Sequence, residues 1–220
     1  MNMAKVYFWD VPTRSLPRAI SYMATNRIHL KGNPTIPFFK LLGTGTGERF
    51  TPRDANAHRW GLLVTGSQSA LADFDDSKLV RNWRSVAKSE YSALLRPLSS
   101  HGKWSGKEPF EVETLDWNGP VIAITRARIK WRQNLIFWRS VPRVTESLHA
   151  SPGLRFALGI GEAPIGLQGT FSSWESAADL REFAYKSAPH LAVIAKTKEI
   201  DWYSEELFAR FAIISESGAL

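Results

Sequence analysis

The sequence predicts an α+β fold made of two tandem ferredoxin-like halves, and two internal similarities carry that prediction. The segment "KLLGTG" at residues 40–45 matches "FALGIG" at residues 156–161 in its Leu-Gly-x-Gly pattern. Further along, "GLLVTGSQSALADF" at 61–74 matches "LQGTFSSWESAADL" at 167–180 as a short strand followed by a helix. Because both matches keep their order, we expect each half to form the unit β-α-β-β-α-β.

The first half opens with a strand and a helix that can be assigned from periodicity. The apolar run "KVYFW" at 5–9 predicts a strand, and the helix after it begins near Ser15. Leu16, Ile20 and Met23 have the spacing of one apolar helix face, which we expect to be buried.

Serine residues predict where the second helix of each half begins. Ser67 and Ser173 occupy the N-cap position of their segments, and Ser172 and Glu175 have the spacing of a capping box. A closing strand is predicted in each half, at 92–98 and 206–214.

The second half starts with a strand at 120–130, followed by a helix with three apolar residues at i, i+4 and i+7, namely Trp131, Leu135 and Trp138. That helix is predicted to end before Pro142. These elements divide the chain into an N-terminal half at 1–100, a linker at 101–119 and a C-terminal half at 120–220.

The composition is that of a soluble globular protein, and it excludes several kinds of site. Of the 220 residues, 44% are hydrophobic and 22% are charged. Without cysteine, the chain has no disulfide, iron–sulfur cluster, thiolate-ligated haem or cysteine nucleophile. It has no signal-peptide pattern and no stretch long enough to span a bilayer. We therefore expect a cytoplasmic protein, with peripheral contact to a membrane left open.

The net charge of +7 indicates attraction to an acidic partner, which leaves nucleic acid, an anionic membrane, an acidic protein or a carboxylate-bearing cofactor. No strand carries the paired aromatic pattern of RNA-recognition modules, so we predict no nucleic acid. The glycine-rich "GTGTGE" at 43–48 is followed by Thr51 and Pro52 where a phosphate loop needs a helix start, which favours a turn or bulge. The nine tryptophans predict large apolar surfaces that fill a core or line a cavity.

The histidines point to a site that uses a single imidazole. None of the five has the spacing of a zinc site or a two-histidine iron site, and no nucleophile elbow is present. His190 follows Ser187 and Pro189, which are typical of a helix start, so the helix dipole favours its neutral form. The stretch leaves two interpretations open: a packed histidine, or the ligand of a metal such as haem iron.

Three arginines on predicted strands extend this picture. Arg126 and Arg128 alternate along their strand, so we expect both on one face beside Ile122 and Ile124. Arg210 is flanked by apolar residues on both sides. An arginine inside an apolar cavity needs an anion, and haem propionates would supply one. An arginine at the end of a strand can instead reach solvent, and this second interpretation fits Arg128 better than Arg210.

The chain also resembles a known family over about residues 38–214. The stretches that carry the resemblance, in order, are "GTGTGERFTP" (43–52), "GKWSGKEPFE" (102–111), "ITRARIK" (124–130), "LGIGEAP" (158–164) and "PHLAVIAKTKEIDWYSEELFARF" (189–211). Together they are similar to the spheroidene monooxygenase family, carotenoid-modifying enzymes of purple bacteria that are related to dimeric α+β barrel haem proteins.

The resemblance implies a haem b enzyme that uses O₂ and reduced ferredoxin to oxidise a linear carotenoid at C-2 to hydroxy and keto products. It implies His190 as the iron ligand, since this family-like "PH" step lies in the C-terminal half. The remaining implied residues fall into two groups. Hydrogen-bond donors to the reacting oxygen are Arg126, Arg210 and Gln168; further cofactor contacts are Arg128, Trp174 and Phe183.

Two alternatives remain at this point. One is a haem-dependent dehydratase, or an enzyme of N–O or N–N bonds, acting on a smaller substrate without O₂ activation. The other is a non-catalytic barrel that binds haem or lipid. The expected partners are an apolar small molecule and an acidic electron-transfer protein such as ferredoxin, and the sequence leaves open whether the chain forms an oligomer.

Overall fold

The computed structural model of the chain describes residues 2–45, 54–130, 146–162, 167–186 and 203–220. Eight antiparallel strands form a closed barrel in the order β1-β3-β2-β6-β7-β5-β8-β4. The strands are β1 (Met3–Asp10), β2 (Phe38–Gly45), β3 (Ala55–Gly66), β4 (Ser89–Gly102), β5 (Val121–Ile129), β6 (Leu154–Gly161), β7 (Leu167–Trp174) and β8 (Tyr203–Gly218).

Helices lie on the outside of this barrel, which confirms the predicted α+β class. They are α1 (Leu16–Lys31), α2 (Gln68–Asp75), α3 (Lys78–Val86) and α4 (Ala177–Lys186). Within the described ranges, no helix combines the length and the apolar character needed to cross a membrane.

The strand order is the same in both halves of the chain, β4-β1-β3-β2 in the first and β8-β5-β7-β6 in the second. Residues 131–145, which include the predicted helix with Trp131, Leu135 and Trp138, lie outside the described residues. The equivalence of the halves as ferredoxin-like units therefore stays a prediction, as does the division into halves and linker.

The two Leu-Gly-x-Gly motifs meet where the halves join. In the β2–β6 pair, Gly43 lies opposite Gly161 and Gly45 opposite Gly159. The β2–β3 register shifts between Gly43 and Thr44, whose partners Trp60 and Asn56 are four residues apart, so the extra residues lie in β3 while residues 43–45 continue β2. The predicted turn or bulge at 43–48 is thus not found at 43–45, and residues 46–48 lie outside the described residues. A Cβ on Gly45 would lie 2.7 Å from the Asp54 carbonyl oxygen, so the close approach requires glycine.

Side chains fill the barrel interior. Phe8 and Phe171 meet edge to face at 5.1 Å between ring centroids, beside the fully buried Ile122, Ile124 and Phe211. An eight-stranded barrel has an interior just wide enough for such packing. The described interior is therefore a core of packed side chains.

A second core lies between the barrel and the helices of the first half. Trp9 stacks on Trp83 of α3 at 5.0 Å and on Tyr7 at 5.1 Å between ring centroids. Both tryptophans are fully buried, so this pair fills a core, one of the two roles predicted for the tryptophans.

Two details of the predicted helices are wrong. In α1, Ile20 is 59% exposed, while Ala19, Asn26 and Leu30 form the buried face. Neither Ser173 nor Ser172 caps α4, because β7 continues through both to Trp174.

The cap of α4 is Ser176, whose hydroxyl accepts hydrogen bonds from the N–H groups of Ala178 and Asp179 at 3.2 Å. The cap predicted at Ser67 is confirmed, since its hydroxyl accepts from the Ala70 N–H at 3.2 Å.

Gly169→Ala should destabilise the barrel. A Cβ at this position would lie 2.3 Å from the carbonyl oxygen of Thr125 on the neighbouring strand, so β5 and β7 would have to separate. We expect the free energy of unfolding to fall by about 1 to 3 kcal/mol, measured by urea denaturation.

The matched control is Gly32→Ala at the end of α1, where a Cβ would meet no atom within 4 Å. Its stability should stay within about 0.5 kcal/mol of the parent chain. Equal losses in the two variants would contradict the proposed crowding at Gly169.

Candidate active site

A cleft of about 510 Å³ lies on the outer face of the barrel, between the strands of the second half and α4. Its volume is within the usual range for small-molecule sites. Outward-facing residues of three strands form the floor: Ala123 and Thr125 on β5, Thr170 and Ser172 on β7, and Phe208 and Arg210 on β8.

Aromatic and aliphatic side chains form the wall beside α4. Trp174, at the end of β7, packs on Phe183 of α4 with 5.4 Å between ring centroids, and Leu180 lies on the same helix. A hydrogen bond fixes the orientation of the Trp174 ring, because its Nε1 donates to the Ser172 hydroxyl on the cleft floor at 3.0 Å. The cleft thus has a rigid, mostly apolar side.

Arg210 is the cationic group on the cleft floor. It pairs with Ala123 of β5 and Ser99 of β4, which fixes its outward direction. Its Nε is buried and has no hydrogen-bond partner among the described residues, and none of the described residues lining the cleft is acidic. Arg210 is half-buried and forms no ion pair with a carboxylate of the described residues, so its guanidinium can bind an anionic group of a ligand in the cleft.

His101 and Arg181 add basic character to the cleft, and sequence reasoning missed both. His101 lies on β4 opposite Phe208, so only the β4–β8 pairing brings it to the cleft. Arg181 lies on α4 between Leu180 and Phe183, which both line the wall. The spacing of apolar residues along this helix could have indicated that Arg181 faces the same side.

The structure brings together three of the predicted site residues: Arg210, Trp174 and Phe183 all line the cleft. Arg128 is exposed on β5 and does not line it. Gln168 pairs with Ala127 through the β5–β7 ladder, but its side chain is outside the described part. His190 also lies outside the described residues, so its role as a ligand stays a prediction.

Arg126 is directed away from the cleft and into one end of the barrel. It follows the inward-facing Ile122 and Ile124, as the alternation predicts, and its side chain is 3% exposed. Its partners are protein carboxylates: it bonds to Glu205 and lies 3.5 Å from Glu162. The anion that this arginine needs is therefore supplied within the chain.

A tight turn completes this barrel-end cluster, which we define as Lys40, Trp104, Arg126, Glu162 and Glu205. Ser105 and Gly106 have positive φ angles of 55° and 74°. That conformation directs their N–H groups at the Glu205 carboxylate, at 3.0 and 2.6 Å. "GKWSGK", which lacks the spacing of a phosphate loop, thus binds a carboxylate of its own chain.

Glu162 is the second acceptor in the cluster. It accepts hydrogen bonds from the Trp104 indole and from the Lys40 ammonium group. Sequence reasoning missed both glutamates. The position of Glu205 could have been recognised from the sequence. It alternates with the inward-facing Leu207 and Ala209, and a buried acid in that register needs a partner.

The ionisation of the cluster follows from burial and pairing. Burial lowers the pKa of Lys40, and the bond to Glu162 offsets only part of that effect. Burial alone would raise the pKa of Glu205, but the Gly106 and Ser105 N–H groups and Arg126 together hold it below its usual value. Opposite charges thus face each other, which fixes this end of the barrel.

The described residues contain no group of three or more His, Asp and Glu side chains that could hold a metal ion. His58 is packed, with its Nδ1 3.0 Å from the Val11 carbonyl oxygen.

Comparison with known proteins identifies close relatives. The spheroidene monooxygenase of Rhodobacter capsulatus is 38% identical over 212 residues, 94% of this chain and 88% of that protein. That of Rubrivivax gelatinosus is 36% identical, covering 85% of this chain and 72% of the relative. That of Cereibacter sphaeroides is 34% identical over 90% of this chain, which spans 62% of the relative's length. No protein-family profile matches the chain.

Solved structures share the fold. Aldoxime dehydratase aligns with a TM-score of 0.60 at 10% identity, covering 96% of this chain and 81% of that one. The complex of aldoxime dehydratase OxdRE with butyraldoxime also gives 0.60 at 10% identity, with 96% and 79% covered. At this identity the likeness concerns the barrel architecture alone.

Glu205→Gln should destabilise the protein at neutral pH by roughly 2 to 4 kcal/mol, because it leaves the buried Arg126 with a weaker partner. The pKa of Glu205 is lowered in the folded state, so its contribution is present above its usual pKa of 4.5 and is lost as the pH falls below that value. Urea denaturation at pH 7 and at a series of acidic pH values measures both effects.

Glu113→Gln in the exposed linker is the control, and it should match the parent chain throughout the series. If the difference between parent and Glu205→Gln stayed constant down to the acid limit, the assignment of a lowered pKa to Glu205 would be wrong.

Proposed function

The chain belongs to the spheroidene monooxygenase family, and we propose that it is a haem-dependent monooxygenase that oxidises a linear, spheroidene-like carotenoid. The names of its relatives support oxygen insertion into a carotenoid. The proposed products are the C-2 hydroxy and keto compounds. The observation that carries the proposal is the mostly apolar cleft with the half-buried Arg210, which forms no ion pair with a carboxylate of the described residues.

The residues of the cleft fit a haem. A porphyrin has two flat apolar faces and two carboxylates at one edge, and the cleft offers the Trp174–Phe183 wall and the half-buried Arg210 guanidinium. We propose that Arg210 donates to a propionate and that Trp174 and Phe183 contact the macrocycle. Bound haem would supply the activation of O₂, which the side chains of this chain lack.

His190 is the proposed iron ligand. The proposal rests on its place after Ser187 and Pro189, where a helix start favours the neutral imidazole that binds metal. His101 is the competing ligand, because it is the histidine that the described structure places at the cleft.

The remaining cleft residues would hold and shield the substrate. Leu180 and Phe208 present apolar surface to a hydrocarbon chain, and water is displaced as that surface is covered. Arg126 is held by two carboxylates and Arg210 is assigned to the propionate, which leaves Gln168 as the proposed hydrogen-bond donor to the reacting oxygen.

Electrons are proposed to come from a reduced ferredoxin. Each oxygen insertion with O₂ requires two electrons and two protons besides the substrate, because the second oxygen atom leaves as water. The net charge of +7 favours encounter with an acidic carrier.

The first test is the absorption spectrum of the protein with haem, followed by conversion of spheroidene in the presence of reduced ferredoxin and ¹⁸O₂. We expect one haem per chain, a Soret band altered in His190→Ala, and ¹⁸O in the product. His29→Ala, on the exposed face of α1, should leave both readouts unchanged.

Each other outcome revises a named part of the proposal. A Soret band lost in His101→Ala and kept in His190→Ala would move the ligand to His101. Turnover that persists without O₂ and reductant would favour a dehydratase-type reaction. Absence of haem binding would reject the cofactor, and haem binding without any turnover would favour a binding protein.

Arg210→Leu should weaken haem binding by about 10- to 100-fold, because it removes a charge-assisted hydrogen bond in a dry site. Arg210→Lys should recover part of the loss. The dissociation constant is measured by haem titration, with Arg81→Leu on the exposed side of α3 as control. Equal haem affinities in the parent chain and Arg210→Leu would contradict the proposed contact between Arg210 and a propionate.

A further inference from the structure

The outer face of α1 carries an exposed apolar stripe. Ile20 and Ile28 are 59% and 75% exposed, and Ala24 lies between them. With a spacing of four residues, the three side chains form one continuous line along the helix. Large exposed aliphatic side chains this close together are unusual on a face that packs on nothing.

The charged residues near this stripe are all cationic. Arg27 and Lys31 lie beside it, Arg18 is exposed near the start of the helix beyond Ser21 and Thr25, and Arg14 stands in the turn before the helix. The helix contains no acidic residue. Among the described residues, none of these four cations pairs with a carboxylate.

The fold does not need this outer face. The opposite face anchors α1, since Ala19 and Leu30 are buried against the barrel and Tyr22 meets Trp83 of α3 edge to face at 5.3 Å. The inner face of α1 is therefore the one that packs the helix against the barrel and α3. The isoleucine stripe and its cations are left without a structural role.

We propose that the outer face of α1, from Arg14 to Lys31, binds the surface of an anionic lipid bilayer. Exposed aliphatic residues flanked by cations match the boundary between acyl chains and anionic headgroups. The long stems of Arg27 and Lys31 can lie along the apolar layer while their charges reach the headgroups. An acidic protein would satisfy the cations, but it would need an apolar patch that matches the stripe to cover both isoleucines, whereas a bilayer offers apolar surface along the whole helix.

The inference is independent of the proposed chemistry, because α1 packs on the first half of the barrel and the cleft lies on the second. Vesicle binding therefore tests it without haem or carotenoid. Failure of vesicle binding would leave the cleft assignment intact, and failure of haem binding would leave the docking surface intact.

The experiment is co-sedimentation of the full chain with vesicles of phosphatidylcholine, with and without about one third phosphatidylglycerol. We expect binding only to the anionic vesicles, weakened by added salt. Ile20→Ser with Ile28→Ser should lower the affinity about tenfold. Arg27→Gln and Lys31→Gln should each lower it about fivefold.

The matched control exchanges two exposed aliphatic residues elsewhere, Val112→Ser with Ile214→Ser, which are 47% and 39% exposed. It should bind vesicles like the parent chain, and urea denaturation should show that both double variants remain folded. Equal binding by the Ile20/Ile28 variant and the parent would overturn the proposal. So would binding to a reduced ferredoxin at this face with no binding to vesicles.

Discussion

The packed interior of the barrel is the constraint on which the rest of the structure depends. Eight strands close on themselves, and Phe8, Phe171 and Phe211 fill the space they enclose. Closure pairs the strand edges, and the described interior is a packed core. The cleft that the structure describes lies on an outer face, between the sheet of the second half and α4.

The same constraint explains the different surroundings of the two strand arginines. Arg126 points inward, where an unpaired charge would be most costly, and Glu205 and Glu162 neutralise it. Arg210 points outward into the cleft, and the described residues offer it no carboxylate. One arginine thus stabilises the fold, while the other is available for an anionic ligand.

The two halves of the chain use their outer faces differently. In the first half, α1 and α3 lie close on the sheet, and Trp9 and Trp83 fill the layer between them. In the second half, Trp174 and Phe183 pack on each other beside the cleft. Among the described residues, the layer of the first half thus serves as a core, while that of the second half also lines the cleft.

The sequence by itself determined the α+β class, the strand positions and the pairing of Ile122 with Arg126 on one face, because alternation and turn chemistry are local. Its motifs also indicated the family that the relatives establish. It could not tell which face of β5 is interior, since both faces are apolar: Ile122 packs inside and Val121 outside. The sequence predicted the cap of α4 at Ser173 or Ser172, and the end of β7 at Trp174 moves it to Ser176. The partners of Arg126, the lack of one at Arg210 and the place of His101 were decided by strand pairing between residues distant in sequence, which the tertiary structure alone specifies.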